Sequence, residues 1–168
     1  MVWRNSVTSS TNHDEGDTMF SILSQQLLAS VKRGEGERLD AYQDSKGIWT
    51  IGYGTNLQEL HISKTLAEQW LADKLMQAAM YAQGFGWWAE LTPARKDVVI
   101  EMLYNLGGPR FGGFKKFIHA LDTRQWDHAA DEMLDSKWHR EDVGKPGIQG
   151  DTDRAERLAH QMRSGEYV

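Results

Sequence analysis

Three residues of this chain carry groups suited to acid-assisted hydrolysis. Glu35 sits in Arg33-Gly34-Glu35-Gly36-Glu37-Arg38-Leu39; Asp44 follows nine residues later, and Thr50 fifteen later in Trp49-Thr50-Ile51-Gly52-Tyr53-Gly54. A carboxylic acid, a second carboxylate and a hydroxyl around one site can split a glycosidic bond with water. One acid protonates the leaving oxygen, and the second group serves the opposite ring face, where positive charge builds at the anomeric carbon. Taken singly, a Glu between glycines is usually a solvated charge and an Asp in a turn usually caps it. The combination is what points to chemistry.

These groups need elements to hold them. Phe20, Ile22, Leu23, Leu27, Leu28 and Val31 recur at helical spacing and are followed by Lys32, Arg33 and Gly34, which predicts a helix of three to four turns ending just before or near Glu35. The macrodipole and unpaired carbonyls make a helix C-terminus unfavourable for negative charge and suited to a protonated acid. From Ala41 to Gly54, β-formers flank an Asp44-Ser45-Lys46-Gly47 turn, which reads as a hairpin. A turn with hydroxyls nearby suits an ionised carboxylate, so the two environments assign the carboxyls different jobs. Gly52 and Gly54 straddle Tyr53, but no third glycine or placed basic residue follows, which argues against a phosphate-binding loop.

Beyond the hairpin the pattern is helical. Ser63 can cap a helix through about Gln83, with Leu66, Trp70, Leu71, Leu75, Ala78 and Ala79 on its inner side. It is long enough, about 30 Å at 1.5 Å per residue, to connect two lobes. Thr92-Pro93 opens a helix carrying Val98, Val99, Met102, Leu103 and Leu106 that stops at Gly107-Gly108-Pro109 and should be the most buried. Shorter helices are expected at about 114–122, 125–135 and 152–163, with a loop over 144–150. Residues 1–18 are mostly polar without apolar periodicity and read as a flexible tail, leaving 19–168 as a single domain of two lobes with a cleft between. Met19 leaves open an alternative start or an extension.

Composition narrows the class. Of 168 residues, 40% are hydrophobic and 26% charged, ordinary for a globular chain with one core. With no cysteine, stability rests on packing, hydrogen bonds and charges. No stretch approaches the roughly 18 apolar residues of a membrane span, and the first eighteen residues lack the apolar segment of a secretory signal, so a soluble chain without stable membrane insertion is expected. A formal charge of −5 argues against nucleic acid as partner and gives no bulk attraction to an anionic wall, although a small basic cleft can exist locally. Of seven tryptophans, most are expected to fill core. Trp87-Trp88 reads first as a core anchor and second as a sugar platform. His13, Asp14, Glu15 and Asp17 lack metal-ligand spacing; neither metal nor cofactor is called for.

Glu35-Gly-x-Arg38-Leu39, then Ala41-Tyr42-x-Asp44, then Gly47-x-Trp49-Thr50-Ile51-Gly52-Tyr53-Gly54, resembles the signature of the phage-type lysozymes, the muramidases of glycoside hydrolase family 24. The resemblance runs from roughly Leu28 to Tyr167. It implies an α+β lysozyme-like fold: a small N-terminal β-hairpin lobe over about 38–56, joined by the helix at 63–83 to a mainly α-helical C-terminal lobe. It also implies an inverting hydrolysis of the β-1,4 bond between N-acetylmuramic acid and N-acetylglucosamine in peptidoglycan, a bacteriolytic activity. Glu35 matches the family's general acid, Asp44 its second carboxylate and Thr50 the hydroxyl that helps hold water. Arg154 matches an arginine beside the acid and Asn105 a substrate-side amide; Tyr53 joins them as a substrate-binding or supporting residue.

A nearby cation lowers a carboxyl pKa while acid duty calls for a raised one. The expectation is therefore that Arg154 positions Glu35, with the helix end and burial governing its proton. Two departures stand out: many relatives carry histidine after Gly54, where this chain has Thr55-Asn56, and the balance of charge is acidic. The implied partner is a peptidoglycan glycan strand, met by a monomer made in a bacterial host cytoplasm and brought to the wall by another protein or a virion. A lytic transglycosylase, or a non-catalytic wall-binding or structural virion module, are the alternatives.

Overall fold

The structure, a computed structural model, describes residues 23–142 and 154–168. The chain divides into two compact units, one ending at Ile62 and the other beginning at Ser63. The tail expected at 1–18, the helix start at Phe20 and the loop at 144–150 lie outside the described residues.

In the first unit, helix α1 spans Gln25–Glu35. Extended Ser24 caps it, its hydroxyl accepting from the Leu27 amide at 3.1 Å. It stops because Gly36 turns left-handed at φ 71°, sending its own amide back to the Lys32 carbonyl at 3.1 Å. Strands β1 (Arg38–Gln43), β2 (Trp49–Gly52) and β3 (Thr55–Asn56) form an antiparallel sheet in that order. Tyr42 pairs with Thr50 and Arg38 with Gly52, with an irregularity between the two pairs; on the other edge Thr50 pairs with Asn56. The expected hairpin is present. Its turn closes through Asp44 N–H to the Ile48 carbonyl, 3.0 Å, with Gly47 left-handed at φ 77°. The two-residue third strand adds to what the sequence predicts.

The second unit is helical: α2 (Lys64–Ala82), α3 (Pro93–Phe111), α4 (Lys115–Asp122), α5 (Trp126–Leu134) and α6 (Arg154–Ser164). Ser63 and Thr92 cap α2 and α3 as expected, accepting from Leu66 N at 3.2 Å and Arg95 N at 3.3 Å. The core gathers Val98, Val99, Met102, Leu121, Met133 and Leu158, none more than 0% exposed, each contributing about 1.5–3 kcal/mol of burial. α3 supplies its centre and packs on α2 and α6.

Two expectations change, two short turns are new, and Trp87 lies where it was expected. Gly107 does break α3, at φ 72° and ψ 159°, but helix resumes to Phe111, because Pro109 is compatible with a first turn. Only Ala78 and Ala82 of α2 are buried; Trp70 is 48% and Leu71 44% exposed, since apolar residues ring this helix and no single face is dictated. A 3₁₀ turn at Gly86–Glu90 and a π-type turn at Trp138–Asp142 were not foreseen. Trp87, 5% exposed and stacked on Phe85 with centroids 4.8 Å apart, is the core anchor rather than a sugar platform.

Candidate active site

Glu35 is the last residue of α1 and is exposed, so the burial expected to govern its proton is absent; α1 has no buried residue. Its Oε2 lies 3.3 Å from where a Cβ on Gly54 would stand. Gly54 is left-handed, φ 87°, at the end of the turn that follows β2. Two contacts tie this turn to the chain around Glu35. The Tyr53 hydroxyl donates to Glu37 Oε1 at 2.5 Å, and the Lys32 ammonium lies 5.5 Å from the Tyr53 ring centroid. The hydrogen bond to Glu37 raises the Tyr53 hydroxyl above its ordinary pKa of 10.0. Sequence reasoning missed Glu37 and Gly54; the Gly-Tyr-Gly punctuation was the available signal.

Asp44 follows β1 directly and is half-buried. Its Oδ1 accepts from the amides of Lys46, 2.8 Å, and Ile48, 2.9 Å, while Oδ2 takes no hydrogen bond from any described residue. One oxygen is thus fixed by the turn and the other is available to a water or a cation. Thr50, on the central strand, is 5% exposed. Its hydroxyl donates to the Ile48 carbonyl at 3.1 Å, which turns the oxygen's lone pairs to acceptor duty. The first unit therefore holds Glu35, Asp44, Thr50 and Tyr53.

Asn105 and Arg154 belong to the second unit and have separate partners there. Asn105 Oδ1 accepts from the Trp138 indole N–H at 2.8 Å. Arg154 Nε donates to Glu101 Oε1 at 2.7 Å, a carboxylate that Arg157 also approaches at 3.5 Å. Arg154 lines a groove of about 660 Å³ with Leu71, Leu75, Ile100 and Tyr104. A second recess, about 520 Å³, is edged beside Trp138 by Arg110, Lys115, Lys116 and Lys137 and by the carboxylates of Glu132 and Asp135, with Lys116 3.5 Å from Glu132. His61 lies exposed in the loop before α2. Among the described residues no three His, Cys, Asp or Glu side chains converge as metal ligands do, and no helix is long and apolar enough to cross a membrane. His13, Asp14, Glu15 and Asp17 lie outside those residues.

The family model described as phage lysozyme matches residues 32–157. An endolysin of Salmonella phage P22 is 28% identical over 127 residues, 67% of this chain and 81% of that protein. An endolysin of Acyrthosiphon pisum secondary endosymbiont phage 1 is 29% identical over 127 residues, 72% of this chain and 82% of its own. A probable T4-type lysozyme 1 of Dictyostelium discoideum is 23% identical over 141 residues, covering 66% and 83%.

Proposed function

We propose, for a chain that belongs to the phage lysozyme family and is by that membership a peptidoglycan hydrolase, that Glu35, Asp44 and Thr50 carry the reaction. The bond cleaved is the β-1,4 link between N-acetylmuramic acid and N-acetylglucosamine, with inversion at the anomeric carbon. The observation that carries this reading is Asp44 in the first unit, one oxygen locked by two amides and the other open, in the turn of the hairpin whose second strand carries the Thr50 hydroxyl.

Glu35 gives its proton to the glycosidic oxygen as the bond breaks. Asp44 Oδ2 takes a proton from water, or orients it, and stabilises the cationic ring. Thr50 accepts a hydrogen bond from that water. Inversion requires the two carboxyls about 6.5–9.5 Å apart around the bound sugar, leaving room for the water. Tyr53 supports the acid, Arg154 is the residue assigned to position it, and Asn105 serves the substrate side. The protein acts as a monomer on the glycan strand, reaching the wall with the help of another protein or inside a virion.

The test is clearing of purified peptidoglycan by wild type beside Glu35→Gln, with mass analysis of the new sugar ends. Glu35→Gln should lose about 10²–10⁴ of the rate. Unimpaired clearing by that variant would remove Glu35 from the mechanism, and anhydro ends would indicate a lytic transglycosylase. Proton NMR of fresh product should show the α anomer first; an initial β anomer excludes inversion.

A further inference from the structure

We infer that Gly54 is a positioning residue for the acid: the absence of a side chain there sets where the Glu35 carboxyl rests. This rests on the reading of Glu35 as proton donor. A Cβ on Gly54 would stand 3.3 Å from Glu35 Oε2, tighter than ordinary van der Waals contact, so one partner must give way. The turn is the less free of the two. Tyr53, its neighbour, is bonded to Glu37 two residues after the acid, and its ring carries the Lys32 ammonium three residues before it. The carboxyl is the end of a flexible, exposed side chain and takes no hydrogen bond from any described residue. An added methyl group therefore moves the carboxyl and leaves the backbone in place. It also strips solvent from Oε2, the oxygen that faces the turn.

Gly54 is left-handed, so an L-residue there is strained whatever the space, and the effect on the acid must be separated from that strain. Gly52 supplies the control. It is left-handed too, φ 68°, at the end of β2 two residues before Gly54, with nothing within 4 Å of an added Cβ. Gly52→Ala thus shares the backbone cost and omits the contact.

The experiment compares kcat and KM of Gly54→Ala and Gly52→Ala on soluble glycan fragments, each normalised to its folded fraction by circular dichroism. Gly54→Ala should lose about tenfold in kcat with KM nearly unchanged; Gly52→Ala should stay within about threefold. A double-mutant cycle with Glu35→Asp, which draws the carboxyl back by one methylene, should be strongly non-additive, because both changes act on one group. If Gly54→Ala does not fold, Gly54→Asn carries the same Cβ on a residue that tolerates left-handed backbone. Equal losses from both glycines, or an additive cycle, overturn the inference. If Glu35→Gln is inactive while the glycines behave alike, only this inference fails; if Glu35→Gln is fully active, the reading of the acid fails first.

Discussion

The guanidinium of Arg95 fills the space that a side chain on Gly165 would need: a Cβ there would lie 2.8 Å from Arg95 Cζ. Arg95 is 9% exposed, yet its N–H groups are used. Nε donates to the Met162 carbonyl at 2.8 Å and Nη2 to that of Arg163 at 2.9 Å, and Cζ lies 4.4 Å from the Trp126 ring centroid. A cation from the start of α3 thus caps the last turn of α6, where the carbonyls lack helical partners. Gly165 is left-handed at φ 73°, so Gly165→Ala both strains the backbone, about 1–2 kcal/mol, and displaces the cap. The expected loss is at least about 2 kcal/mol by urea unfolding, with Arg95→Met similar and the double variant no worse than the larger single. Additive losses would show that the two residues act independently.

His139 joins the π-type turn to α6. One ring nitrogen lies 2.7 Å from Glu156 Oε1 and the other 2.7 Å from the Leu134 carbonyl, so the doubly protonated ring satisfies both acceptors. These bonds, Glu156 first, raise its pKa above the ordinary 6.5 against opposing burial and Arg140. Because the folded value is the higher one, the stabilisation is fully present below about pH 6.5 and is lost as pH rises through the folded value. Its side chain is 30% and that of Glu156 55% exposed, which limits the effect to about 1 kcal/mol. His139→Gln should flatten the decline in stability above pH 6.5, and the ring's NMR titration should have a midpoint above that value. A midpoint at or below it contradicts the contact.

Helix ends and the hairpin were legible in the sequence because each rests on a local rule. Ser63 and Thr92 accept amide hydrogens as caps do, Gly107 interrupts regular helix by turning left-handed, and Gly47 allows the Asp44 turn; the first helix runs through Gly34, where its close was expected, and stops at Gly36. Short elements were not, since two to five residues carry no periodicity. The 3₁₀ turn at Gly86–Glu90 exists because Trp87 is buried against Phe85, and the π-type turn opens on a Trp138 held by Asn105. Of the candidate site, the residue types and their motif were readable, but the approach of Glu35 to Gly54 is made through space and left no periodic trace. Glu35 is exposed where burial was expected.

Thr50 allows structure and chemistry to be separated. Its buried hydroxyl donates to the Ile48 carbonyl, which also accepts from the Asp44 amide. Thr50→Val keeps the branched shape and loses the hydroxyl, costing about 1 kcal/mol. Thr50→Ser keeps the hydroxyl and loses a methyl group, about 0.8 kcal/mol. The two should be similarly destabilised, yet Ser should retain most turnover and Val should lose at least about tenfold. Equal turnover in both variants would leave Thr50 as a strand residue alone.

Asp44 has a turn to hold and a charge to offer, and the two tasks fall on different oxygens. Oδ1 takes the Lys46 and Ile48 amides at 2.8 and 2.9 Å. Asp44→Asn can keep that oxygen in place, and the geometry then puts an NH₂ donor where Oδ2 stood, so water meets a donor in place of a base. Asp44→Ala removes both oxygens and leaves two amides to solvent. On stability, Asn should cost under about 1 kcal/mol and Ala about 1–2 kcal/mol. On turnover, both should fall by at least about 10², with KM little changed for Asn, because the missing charge acts on water and on the transition state. The readouts are urea unfolding and initial rates on soluble glycan. An Asn variant that is both stable and active would confine Asp44 to shaping the hairpin, and the water would then need another base.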